Sequence, residues 1–72
     1  MQEIIDQYYV KIAKNIKCLR GELNLSQEKF AESVGCSREY ISRLEHNKEK
    51  ISLQMLLTIS AIYERTPQSF FK

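Results

Sequence analysis

Apolar residues along the 72-residue chain recur at helical spacing, and no segment alternates with period two over strand length. The pattern predicts an all-α fold. The longest stripe runs through Ile5, Tyr8, Tyr9, Ile12, Ile16, Leu19 and Leu23. At about 100° per residue these positions fall within an arc of about 100°. They predict a first helix over residues 3–22, with Lys11, Lys14, Lys17 and Cys18 on its far side and Arg20 at the stripe's edge. A second helix follows Ser26, a good N-cap, and buries Phe30, Ala31 and Val34. Gly35 stands where a helix-closing residue in the left-handed region belongs. Ser37 caps a third helix, residues 38–46, with Ile41 and Leu44 inward. The run "HNKEKI" is a loop. Ser52 caps a fourth helix, 53–63, with Leu53, Leu56, Leu57 and Ile59 as core candidates. Thr66 and Pro67 read as the cap and first position of a short fifth helix.

This length makes a single domain, with residues 1–10 extending its first helix. A chain this small buries roughly 60% of its unfolded surface. Without disulfides it needs compact helices and often an oligomer interface. Cys18 and Cys36 fit no C-x-x-C spacing, and a single histidine completes no zinc set, so they read as two reduced thiols. Cys36 is expected to be partly buried and Cys18 exposed. No cofactor, metal or small-molecule ligand is implied. No apolar run reaches the roughly 20 residues of a membrane span. The acidic start "MQEIIDQYY" lacks a signal peptide's basic region, so a cytoplasmic protein is expected. A net charge of +2 alone does not identify a nucleic-acid partner. Its distribution says more, because Lys11, Lys14, Lys17 and Arg20 form one basic cluster and Arg38, Arg43, Lys48 and Lys50 another.

Only Gly35, Cys36 and Ser37 separate the second and third predicted helices. A turn this short forces the helices to cross steeply. Close crossing needs a small residue, which Ala31 supplies, while Gly35 accepts the positive φ that a side chain resists. Ala31, Gly35, Ile41 and Leu44, with serine caps at 26 and 37, give the spacing of a DNA-binding helix-turn-helix. An enzyme is not expected: no nucleophile has a placed base, and there is no phosphate-cradling glycine loop.

The stretch "LSQEKFAESVGCSREYISRLE", within Ile16–Phe71, resembles the phage-repressor/Cro-type (XRE-like) helix-turn-helix regulators. The run Arg38–Ser42 is also similar to that of restriction-modification controller proteins. The resemblance implies a compact five-helix, lambda-repressor-like domain whose second and third helices form the helix-turn-helix. It implies a homodimer that binds a double-stranded DNA operator and regulates transcription, as a repressor. Two other readings keep the fold: an antitoxin or protein-binding adaptor, and the DNA-binding module of a longer regulator. Asn47 stands where the family usually has a glycine after the third helix, and Asn tolerates the left-handed region. Ile51 replaces a common proline, and Glu64–Arg65 a Gly-Val pair.

Recognition helices of such proteins enter the major groove N-terminus first. Arg38, Glu39, Ser42 and Arg43 are therefore the expected base contacts. Arginine can be bidentate to guanine O6 and N7, and glutamate accepts from cytosine N4. The competing use of Glu39 and Arg43 is an i,i+4 ion pair in solvent. Gln27 is implied by resemblance as a phosphate contact, and Ser37, Tyr40, Asn47, Lys48 and Lys50 are further phosphate candidates. Arg20 and Glu45 are implied as a partly buried structural ion pair. His46 faces water. Tyr63, Phe70 and Phe71 are the first choice for a dimer contact, with Ile5, Tyr8 and Tyr9 a second apolar group; the competing reading is that both groups pack on each other inside one subunit.

Overall fold

A computed structural model describes residues 1–72. Four α-helices follow one another: α1 (Gln2–Glu22), α2 (Gln27–Val34), α3 (Arg38–Glu45) and α4 (Leu53–Ile62), then a 3-10 segment (Pro67–Phe71). The expected fifth helix is thus a 3-10 turn. The Thr66 side chain makes no capping bond, and the segment closes through an i→i+3 bond from Ser69 N–H to the Thr66 carbonyl, 3.0 Å.

The predicted serine caps start three of the helices in the same way. The hydroxyl oxygens of Ser26, Ser37 and Ser52 each accept from the backbone N–H three residues on, at 3.1 Å. All four α-helices also close alike. A residue in the left-handed region follows each one, and the N–H after it returns to a carbonyl five residues back. Those residues are Asn24, Gly35, Asn47 and Glu64. The absent Gly-Val pair therefore leaves the close of α4 intact: Arg65 N–H reaches the Ser60 carbonyl at 2.9 Å.

The core gathers Ile12, Ile16 and Leu19 of α1, Phe30, Ala31 and Val34 of α2, Ile41 and Leu44 of α3, and Leu56 and Ile59 of α4. Ile51 and Phe70 complete it from outside the α-helices. Leu53 and Leu57 are not core residues, being 69% and 46% exposed. Leu56, Ile59 and Ser60 take the inward face of α4, and Ile51 fills the space at its start. The apolar stripe of α1 is likewise buried only from Ile12 onward. Ile5 and Tyr8 stay partly open, because they line an open groove facing Leu53 and Phe71 and no element fills it. No helix is long and apolar enough to cross a membrane.

Candidate nucleic-acid interface

Gly35 adopts φ 79°, ψ 35°, which turns the chain from α2 into α3 within three residues. A Cβ there would meet nothing within 4 Å, so glycine answers a conformational need and not a steric one. Ala31, Ile41 and Leu44 are buried where the two helices pack. This seats the inner face of α3 and leaves its outer face to solvent.

A polar network braces the seat. Arg20 of α1 donates from Nε and Nη2 to the two carboxylate oxygens of Glu45, at 2.7 and 3.0 Å. Its remaining Nη1 donates to the Leu25 carbonyl at 2.8 Å. Gln27, at the start of α2, donates to Glu45 Oε1 at 3.1 Å. One carboxylate thus ties α1, α2 and α3 together. The Glu45 side chain is 2% exposed and that of Arg20 19%. Burial pushes the Glu45 carboxyl up, but the hydrogen bonds from Arg20 and Gln27 outweigh it and hold it below the ordinary glutamate range. The same bond raises the Arg20 guanidinium against its own burial.

The outer face of α3 carries Arg38, Glu39, Ser42 and Arg43. Arg38 lies 3.5 Å from its neighbour Glu39. Arg43 does not pair with Glu39, as helical spacing allowed. Its Nε donates to Glu49, in the loop after α3, at 3.2 Å. Sequence reasoning did not single out Glu49, since helical periodicity says nothing beyond a turn. The His46 ring donates from Nδ1 to the Ser42 carbonyl at 2.8 Å and so rides on the last turn of α3.

The phosphate candidates divide. Gln27 has a second amide hydrogen beyond the one held by Glu45. Ser37 and Tyr40 use their oxygens as acceptors, Tyr40 from Ser52 N–H at 3.4 Å, so each hydroxyl proton remains to be donated. Asn47 closes α3 with φ 61°, and Lys48 is exposed beside it. Lys50 is engaged elsewhere. Its ammonium sits 3.3 Å from Asp6 of α1 and 5.4 Å from the centre of the Tyr9 ring. Hydrogen bonds from Gln2 and Lys50 hold Asp6 below its ordinary value.

The expected dimer residues divide as well. Phe70 is 3% exposed, and Asn15 of α1 donates to its carbonyl at 2.7 Å, so the protomer's own core takes up its ring. Tyr63 stacks on Phe30 at 5.6 Å between ring centres, and its hydroxyl meets that of Ser33. The short 3-10 segment folding back on α1 draws Phe70 inward, while the packing of α4 on α2 takes up Tyr63. Phe71 remains at the surface, edge-on to Tyr8 at 6.2 Å. With Ile5, Tyr9, Leu53 and Leu56, these two rings line an apolar groove of about 260 Å³. Cys18 is exposed and Cys36 partly buried, where burial pushes its thiol up.

A short helix crossing its predecessor through a glycine turn, with arginines along its open face, defines a helix-turn-helix DNA-binding domain. The chain belongs to the helix-turn-helix family, whose model matches residues 16–70. It is similar to the control protein C.SmaI of Serratia marcescens, at 35% identity over 49 residues. That match covers 68% of this chain and 58% of the relative. The chain therefore spans little more than half the length of this relative. No solved structure matches the chain. The family match makes residues 16–70 a helix-turn-helix domain.

Proposed function

We propose that the chain is a homodimeric, sequence-specific regulator that places α3 in the major groove of each operator half-site and represses transcription. The observation that carries this reading is the outer face of α3. Arg38 and Arg43 project there from a helix whose inner side is fixed by the Arg20–Glu45–Gln27 network. Arginine end groups so placed suit guanine edges, with Glu39 and Ser42 as further base contacts. Around them Gln27, Ser37, Tyr40, Asn47 and Lys48 offer donors to the phosphates, which set register without reading sequence. The likeness to a control protein, with the Arg38–Ser42 run, supports a role as a restriction-modification controller. Half-sites about 34–36 Å apart call for a two-fold partner. The exposed apolar group around Phe71, Tyr8 and Leu53 is the surface offered to it.

Selection of bound sites from a random duplex pool tests the reading. Arg38→Ala and Arg43→Ala should each relax the consensus at its own position, and an unchanged consensus in both variants removes α3 as the reader. The apolar groove favours a second reading, an adaptor or antitoxin whose main partner is a protein. Salt titration separates the two. DNA binding through several phosphates weakens by several powers of ten per decade of salt, whereas a protein complex seated on the groove does not.

A further inference from the structure

The loop after α3 returns on itself. Asn47 in the left-handed region lets Lys48 N–H reach back to the Arg43 carbonyl at 2.8 Å. That reversal brings Glu49 beside the Arg43 side chain, where its Oε1 accepts from Nε at 3.2 Å. Residue 43 is therefore held twice by the loop, once through backbone and once through side chain. The loop is itself anchored at its far end, by Tyr40 Oη on Ser52 N–H and by Lys50 on Asp6.

We infer that Glu49 is a positioning residue for base recognition: by occupying Nε of Arg43 it fixes the guanidinium and leaves its Nη groups for an end-on bidentate contact with guanine. The inference rests on Arg43 being a base reader. The chemistry is that of the guanidinium fork. Arginine can grip O6 and N7 sideways, through Nε and one Nη, or end-on through both Nη groups. A carboxylate on Nε closes the sideways mode and selects the end-on one. An arginine held before DNA arrives also loses less side-chain freedom on binding. Arg38 is not arranged this way, because its contact with Glu39 is made by Nη2, one of the end groups.

The competing account is a plain surface ion pair, in which Glu49 merely adds negative charge near DNA. Binding to duplexes varied at each base pair in turn separates the accounts, with wild type, Arg43→Ala, Glu49→Ala and Glu49→Gln. Glu49→Ala should flatten the preference at the base pair that Arg43→Ala flattens, by roughly tenfold, the scale of one bidentate contact. Glu49→Gln keeps an acceptor on Nε and should retain most of that preference. Uniformly tighter binding to every duplex in both Glu49 variants, with the preference intact, overturns the inference and leaves only the charge effect. So does a glutamine variant that behaves as the alanine one. If Arg43→Ala itself alters no preference, the base-reader assignment fails first and this inference with it. Glu49 lies on a partly exposed loop, and unchanged thermal unfolding of each variant shows that the fold is not the cause.

Discussion

Glu45 accepts hydrogen bonds from Arg20 Nε, Arg20 Nη2 and Gln27 Nε2, while 2% of its side chain is open to water. Removing one member of such a buried pair strands the other, which costs about 3–5 kcal/mol. Glu45→Ala should therefore lower the unfolding free energy read from urea titration by that amount, far more than removal of the exposed acid on α3, Glu39. The acid limb follows from the same bonds. The folded carboxyl titrates below the ordinary glutamate value of 4.5, so its stabilising contribution is complete above that pH. It is lost as pH falls from there through the lowered folded value. Urea midpoints measured from pH 7 down to about 2 should show this loss, and Glu45→Gln should remove it.

At the scale of the element, the helix ends set the stability that can still be gained. The left-handed closing residues have φ of 56° at Asn24, 79° at Gly35, 61° at Asn47 and 54° at Glu64. Glutamate suits that region worst, at roughly 1–2 kcal/mol over glycine. Glu64→Gly should raise stability by about 1 kcal/mol, since glycine gives back part of the gain in the unfolded chain. Gly35→Ala should lose a similar amount and no more, because an added Cβ there meets nothing within 4 Å. Thermal unfolding of the two variants checks both signs. These ends also show what could be read from the chain itself. Serine caps and the glycine closure act through residues three or four apart, so Ser26, Ser37, Ser52 and Gly35 were legible locally. Periodicity fixes the angle of a side chain about its helix, but it does not say which neighbour reaches that side. Leu53 and Leu57 therefore read as core and are exposed, and Phe70 read as surface and is buried. The pairing of Arg43 with Glu49 was hidden for the same reason, since it depends on a loop reversal.

At the scale of the molecule, the outer face of α3 and the apolar groove are two surfaces lined by different residues. Leu53 opens α4 and is 69% exposed, so it contributes nothing to the protomer's core. An acid in the first turn of a helix suits its dipole. Leu53→Asp should therefore fold as the wild type does and weaken self-association, as read by sedimentation at several protein concentrations. A self-association unchanged by the substitution moves the proposed two-fold surface away from the groove. The groove also adjoins the part of α1 that packs least. From Gln2 to Tyr8 every residue of α1 is exposed, whereas Ile12, Ala13, Ile16 and Leu19 are buried. Amide hydrogens along this one helix should then exchange on two clocks. Those in the opening turns need only a local breathing motion, resisted mainly by the Asp6–Lys50 and Tyr9 contacts, and should exchange early. Those around Ile16 and Leu19 should wait for unfolding of the whole chain. Occupation of the groove should slow the first clock and leave the second nearly untouched, so exchange at Tyr8 and Tyr9 becomes a residue-level reporter of whatever settles there.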